Sequence, residues 1–509
     1  MIFCQHDLAS GEHDFYSLEK FQIGSSLNNL VDSSNEMARQ RTICLIMDCE
    51  ASFKPSYFDS LADAFSNSNL TVAYTDFEYV SRLHSNKSRI KPPMWSPERF
   101  LSNDFLGPVF AIDFALLPKD LAVKNLTRTQ LLLSCISNGL QVSLLDQVGY
   151  AVAAEKTEFN YELRISQVTK FFENNRPGSM VTPNGTSWLK ISNVKLAPKV
   201  ISVIIPTRGT KKSMFRNTLI LNCLKSLQQQ NQYTSKIEVI VVYDSDTKLK
   251  YLAKIKKLEA ENISISFLSY DPPFNFARKC NLGAELASGE VVLFLNDDTL
   301  FLDPNSLLEL AGTAMIKNVG AVGAKLLFEN GRIQHGGYIL RDGFVGHAYI
   351  KDIDGFGPFG DLVSTHEVLG VTGACLAQRR EIWDSIGKWN ESFPASYNDV
   401  DYCFRITESG LNILQVNQAK LKHFESVTRN PKVYPREREM IQDLWGHKFK
   451  VEPFFRMKVT TPEMRNVHGN VLKRYTNYAK ATYRREGLSG IWGLFTNVAR
   501  KVLKVSEKN

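Results

Sequence analysis

The chain has 509 residues and a formal charge of +8, from 61 Lys and Arg against 53 Asp and Glu. At about 100–200 residues per domain, that length predicts two or three domains. With 43% apolar and 22% charged residues, each can bury an ordinary core, which excludes disordered, collagenous and low-complexity architectures. No apolar run approaches the roughly 18 residues that a bilayer span needs. The opening MIFCQHDLASGEHD has neither a basic nor an apolar region, so no secretory signal is expected. Cysteines stand at 4, 44, 49, 135, 223, 280, 375 and 403, with no CxxC pair. That spread predicts reduced core thiols in a cytoplasmic protein rather than a disulfide framework or a zinc site. From Arg465 onward ten Lys or Arg stand against Glu486 and Glu507. The tail therefore carries the entire net charge, which argues against nucleic-acid binding over the fold and for a local basic device at the C-terminus.

In chain order, ICLIMDCEASFKPSYFDSLADAF (43–65) reads as an apolar strand, acidic residues at its end, a Pro and then a helix. TQLLLSCISNGLQVSLL (129–145) reads as a helix followed by a strand. Residues 151–198 contain ENNRPGSMVTPNGTSW and read as a connector. From 199, ISVIIP, EVIVVYD, ISISFLSY and EVVLFLNDD alternate with helical patterns. Short apolar runs alternating with helices predict βαβ units and a parallel sheet. Ligands bind beyond the carboxyl ends of such strands. Those ends carry Thr207-Arg208, Asp244 and Asn296-Asp297-Asp298. Residues 320–450 then show Gly-rich turns, VTGACLAQ, a helix holding Asp399 and Asp401, and a strand ending at His423. VVLFLNDDTLFLDPNSLLELAGTA (291–314) and DYCFRITESGLNILQV (401–416) match the two N-terminal segments, an internal duplication at low similarity.

Two carboxylates at a sheet edge suit a hard divalent cation bridged to substrate phosphates. Alone, Asp297 and Asp298 are as well explained by the N-terminus of the helix that starts after Asp303-Pro304-Asn305. Asp399 and Asp401, two apart on a helix, cannot share a face, so one can enter a cleft while the other packs. His423 alone would be a structural histidine. Their combination, in this order after an alternating sheet, is the specific signal.

The segments VISVIIPTRG, EVIVVYDSDT, FNFARKCNLGAELASGEVVLFLNDDT, GRIQHGG, VTGACLAQRREIWDSIGKWNE, YNDVDYCFRITESGLNI and LKHFESVTR resemble the inverting, metal-dependent glycosyltransferases of family 2. Within that family they are most similar to bacterial enzymes of O-antigen and related polysaccharide synthesis, of rhamnosyl- or galactosyltransferase type. The resemblance implies an α/β, GT-A (nucleotide-diphospho-sugar transferase) fold over 199–450. It implies Asp298 and His423 as ligands of Mg²⁺ or Mn²⁺ and Asp399 as the catalytic base. It implies Thr207, Asp244, Arg278 and Asp297 at the nucleotide-diphosphate sugar donor. A saccharide or lipid-linked saccharide would be the acceptor.

Residues 1–150 then read as a truncated, inactive copy. Asp48-Cys49-Glu50 keeps an acid pair, but the position of the base falls near Arg128-Thr129 and that of His423 near Tyr150-Ala151. The alternative is that upstream sequence is missing from the start. In the 451–509 tail, Leu488, Ile491, Trp492, Phe495, Val498, Ala499 and Val502 recur at helical spacing among Arg484, Arg485, Arg500, Lys501 and Lys504. A basic amphipathic helix over 484–505 reads as binding an anionic membrane surface, peripheral on the inner face of the cell membrane; docking on the catalytic domain is the alternative. Two rivals to an enzyme of this family are a non-catalytic scaffold that binds glycans or partners and a metal-dependent nucleotidyltransferase. The scaffold leaves Asp298, Asp399 and His423 without purpose, and the nucleotidyltransferase gives no role to Asp399 or His423.

Overall fold

A computed structural model describes residues 2–5, 42–47, 49, 51–66, 69–80, 87–118, 127–153, 161–185, 188–211, 217–230, 235–271, 273–341, 343–424 and 435–456. Residues 1–455 form one compact unit and 456–509 another. The tail helix expected over 484–505 lies outside the described residues, as do Asp48 and Glu50.

The larger sheet has its main strands in the order Ile263–Tyr270, Lys236–Asp244, Val200–Thr207, Val291–Leu295, Cys375–Arg379, Val319–Leu327, Asn412–His423 and Thr299–Phe301. The first four are mutually parallel, as the alternation with helices requires. Their runs are unbroken because both faces are covered: Ile201, Val203, Ile204 and Ile205 are all fully buried. Cys375–Arg379 runs antiparallel to both of its neighbours. Val319–Leu327 and Asn412–His423 are parallel. The register then sets Thr299 directly opposite His423, which brings the acid-bearing turn 296–298 against the histidine from a remote part of the chain.

The smaller sheet repeats this second half. Its order is Ile2–Gln5, Thr42–Met47, Val109–Asp113, Leu70–Val80, Gln141–Ala153 and Ala51–Phe53. Thr42–Met47, Val109–Asp113, Leu70–Val80, Gln141–Ala153 and Ala51–Phe53 correspond in turn to the strands starting at 291, 375, 319, 412 and 299. The pairing senses also agree: antiparallel, antiparallel, parallel, antiparallel. The duplication seen in sequence is therefore a duplication of topology.

The repeat sharpens the comparison of sites. Ala51 pairs with Val152 where Thr299 pairs with His423, so the histidine's counterpart is Val152, one or two residues beyond the expected Tyr150-Ala151. The helix Arg128–Ser137 is capped by Thr127, and its second residue, Thr129, stands where Asp399 stands in Asn398–Glu408. Around Val152 the N-terminal half is packed with apolar side chains. Phe77 and Tyr150 stack with ring centroids 5.4 Å apart, and Val109 and Val152 complete a buried apolar cluster with them.

Within 151–198, expected as a connector, the described residues include regular elements. They form the helix Tyr161–Asn175 and the hairpin Met180–Asn184 with Trp188–Ser192. Glu309 accepts hydrogen bonds from Ser192 Oγ at 2.5 Å and Asn193 N at 2.9 Å. The helix Ser306–Ala314 approaches so closely that a Cβ on Gly312 would lie 1.9 Å from Asn193 O. The buried ion pair of Arg99 with Asp361 at 2.8 Å and the hydrogen bond between Ser96 and Glu367 join the halves, and Arg176 of the 151–198 segment pairs with Glu98 beside them.

Candidate functional site

The carboxyl ends of the parallel strands open into a cleft of about 440 Å³. Its walls include Thr207, Arg208, Lys279, Asp297, Asp298, Gln334, His335, Tyr338, His347, Thr372, Asp399 and His423. Five of the seven residues singled out from sequence therefore meet here: Thr207, Asp297, Asp298, Asp399 and His423. Asp244 and Arg278 are not among the wall residues. Asp244 sits at its strand end, ion-paired to Lys279 Nζ at 2.5 Å and Arg208 Nε at 2.9 Å. Arg278 is exposed on the first turn of helix Phe276–Leu286, whereas its neighbour Lys279 is buried and also reaches Thr207 O at 3.1 Å.

Thr207 Oγ1 donates to Asp297 Oδ2 at 2.5 Å and accepts from Gly209 N at 2.9 Å. Burial and the adjacent Asp298 carboxylate raise the pKa of Asp297. The neighbouring strand end meets this turn from the other side. His423 Nδ1 lies 2.8 Å from Gln334 Oε1. A carbonyl partner fixes the proton on Nδ1, which turns the Nε2 lone pair toward Asn296 Nδ2 at 3.3 Å and Asp298 Oδ1 at 3.1 Å. Asp298 Oδ1 is buried, and although His423 is near it, no hydrogen-bond donor is aligned on it among the described residues.

A lone pair facing an undonated carboxylate oxygen is unfavourable unless a cation or proton lies between them. A ligating histidine commonly donates its other N–H to a carbonyl, as His423 does to Gln334. The residues present thus fit a hard divalent ion. No group of three or more His, Cys, Asp or Glu poised for a metal occurs among the described residues. Two protein ligands suit an ion that keeps waters and shares substrate phosphate oxygens.

On the opposite wall, helix Asn398–Glu408 begins at Tyr397, whose φ of +59° is left-handed. This turns the chain sharply and sets Asp399 in the first turn, where the helix dipole favours a carboxylate. Asp399 Oδ2 accepts from Gly373 N at 2.9 Å and Thr372 Oγ1 at 3.2 Å, and Oδ1 from Val400 N at 2.9 Å. The Tyr338 hydroxyl faces the same carboxylate. Burial and that charge push its phenol well above the ordinary range. Asp401 points away, held by Arg405 Nε at 3.0 Å and Trp445 Nε1 at 2.9 Å. The division between a cleft acid and a packing acid follows from their i, i+2 spacing.

Sequence reasoning missed Gln334, His335, Tyr338, His347, Thr372 and Lys279. Gln334 and His335 lie in GRIQHGG and Thr372 in VTGACLAQ, segments recognised without a role for their polar residues. Gly337, at φ +98° and packed on Val368, makes the turn that leads from His335 to Tyr338.

Residues 202–387 match the family model described as Glycosyl transferase family 2. The O-antigen biosynthesis protein RfbC of Myxococcus xanthus is 35% identical over 248 residues, covering 47% of this chain and 19% of that protein. The uncharacterized protein y4gI of Sinorhizobium fredii (strain NBRC 101917 / NGR234) is 31% identical over 242 residues, covering 47% of this chain and 26% of that one. The chain thus spans about a fifth to a quarter of the length of these curated relatives. Among solved structures, GalNAc-T7 with UDP, GalNAc and Mn²⁺ aligns over 50% of this chain and 49% of its own, at 13% identity and a TM-score of 0.40. The strands that carry Thr207 and Asp297, and the turns that carry Gln334 and Thr372, all fall within the residues that match the glycosyl transferase family 2 model.

Proposed function

We propose that the protein is a metal-dependent inverting glycosyltransferase. It moves a sugar from a nucleotide-diphosphate donor to a saccharide or lipid-linked saccharide acceptor in cell-surface polysaccharide synthesis. The observation that carries this reading is the convergence of Asp298 with His423 on one wall of a single cleft and the donor-held Asp399 on the other. The family match of residues 202–387 and the name of the Myxococcus relative support the reaction class and the pathway.

Asp298 and His423 would hold Mg²⁺ or Mn²⁺, which when bound neutralises charge on the departing diphosphate. Thr207 and Asp297 shape the donor side of the cleft, with Asp244 behind them. Arg208 presents a cation to the donor from the wall, and Arg278 is left for the outer edge. Asp399 takes the proton of the acceptor hydroxyl as that oxygen attacks the anomeric carbon and the bond to the diphosphate breaks. One displacement with one base inverts the anomeric centre. The N-terminal half, with Thr129 and Val152 at the two key positions, serves packing or acceptor binding.

A screen of UDP-, dTDP- and GDP-sugars for hydrolysis and transfer, with and without Mn²⁺, tests the reading. Metal-stimulated turnover of one donor class is expected. Absence of turnover with every donor, or turnover indifferent to chelation, overturns it.

A further inference from the structure

Three histidines line the cleft, and the proposed chemistry uses only His423. His335 is buried, and its Nε2 accepts the Thr372 N–H at 3.2 Å. Nε2 must therefore carry a lone pair. Burial and the nearby His347 and His423 keep the ring neutral by lowering its pKa well below the ordinary range. Its proton then sits on Nδ1, which lies 2.7 Å from Nδ1 of His347, an exposed residue on the cleft wall. Thr372 is the hinge of the arrangement. Its N–H goes to His335, its Oγ1 goes to Asp399 Oδ2, and the next amide, Gly373 N, goes to the same oxygen. Three residues beyond His335, Tyr338 packs edge-on against the imidazole at 5.1 Å and turns its hydroxyl to Asp399.

We propose that His335 is a positioning residue for the base, its Nε2 fixing the 372–373 turn that presents two donors to Asp399 while His347 locks its tautomer. The proposal rests on the reading of Asp399 as general base, but its first test does not. In ¹⁵N-histidine spectra of the full chain, His335, assigned by its loss in His335→Gln, is expected with Nδ1 protonated and Nε2 bare. An Nε2-protonated or doubly protonated ring overturns the proposal whether or not the protein is an enzyme.

The second test is donor hydrolysis with water as acceptor, using the UDP-, dTDP- or GDP-sugar that the wild type turns over best. His335→Leu should lower kcat about 10- to 100-fold, less than the roughly 10²–10⁴ of a whole general base, with donor KM within about twofold. His335→Gln, whose Oε1 can accept the Thr372 N–H, should recover most of the loss, and thermal melting reports whether either variant is simply unfolded. Unchanged kcat in His335→Leu, no rescue by Gln, or a rise confined to donor KM overturns the positioning role. Hydrolysis of no donor by the wild type overturns the enzyme reading and this role together, with the tautomer result showing which part of the geometry survives.

Discussion

Asp399 and Asp298 are chemically alike and differ only in what surrounds them. Asp399 is oriented by backbone and hydroxyl donors, as the proposed general base, which would meet an acceptor hydroxyl in one geometry, requires. Replacing it with Asn should cut transfer by about 10²–10⁴ while calorimetry finds donor affinity in Mn²⁺ unchanged; turnover like the wild type would remove it from the mechanism. Asp298 keeps a buried oxygen on which no donor is aligned among the described residues. Asp298→Ala and His423→Ala should abolish the metal-dependent part of donor binding, as chelation does. Gln334→Ala, one contact further out, should weaken Mn²⁺-dependent binding about 10–100-fold. Equal donor affinity with and without metal would contradict all three. Asp298, His423 and Asp399 were legible in the sequence through order and spacing. Gln334 and His335 were not, because a polar residue in a Gly-rich turn declares no partner until the turn is folded against a distant strand.

At the scale of elements, the helix Ser306–Ala314 shows how packing reverses local preference. Ala is ordinarily better than Gly inside a helix by about 1 kcal/mol. At position 312 the new methyl would stand 1.9 Å from Asn193 O. Gly312→Ala should therefore destabilise by about 1–3 kcal/mol, read as a lower urea midpoint; a higher midpoint would mean that the 193–197 segment yields freely.

The strand His366–Glu367 makes a second case. Glu367 is buried, and desolvation followed by the nearby Glu98 raises its pKa from 4.5 to about 7. Arg176 pairs with Glu98 rather than with Glu367. A raised folded-state pKa contributes stability that is complete below about pH 4.5 and is lost as pH rises through about 7. Glu367→Gln should thus lose less stability than the wild type between pH 5 and pH 8. Parallel denaturation curves for the two proteins at both pH values would show that the site is not the source of the pH dependence.

Within residues 1–455, two related halves share one compact unit, joined by Arg99–Asp361 and by the helix and hairpin between them. One copy has an open cleft, and the other packs Phe77 and Tyr150 against Val152, the counterpart of His423. No helix among the described residues is long and apolar enough to cross a membrane. A surface attachment through 484–505 remains our proposal. Each Lys or Arg that reaches an anionic surface contributes on the order of 1 kcal/mol, weakened by salt, with Trp492 and Phe495 inserting beside them. Vesicle co-sedimentation of the full chain should depend on anionic lipid at low salt, and a chain ending at Tyr483 should stay in solution. Equal pelleting of the two would make the helix a packing element.

The sequence by itself determined the parallel sheet, the duplicated half and the acids at the strand ends. Those features are written in local hydrophobic periodicity and in residue order, which need no knowledge of distant contacts. It also separated Asp399 from Asp401, since helical geometry forbids two residues at that spacing from facing one way. Tertiary structure alone decided which cation meets the cleft, Arg208 and Lys279 rather than Arg278, because one step along a helix turns a side chain by about a hundred degrees and only packing says which face is inward. It alone decided that Gln334 orients His423, and that His335 reaches Asp399 through Thr372. These contacts join residues 27 to 89 positions apart, and the strand register that brings them together is set by the burial of the whole sheet.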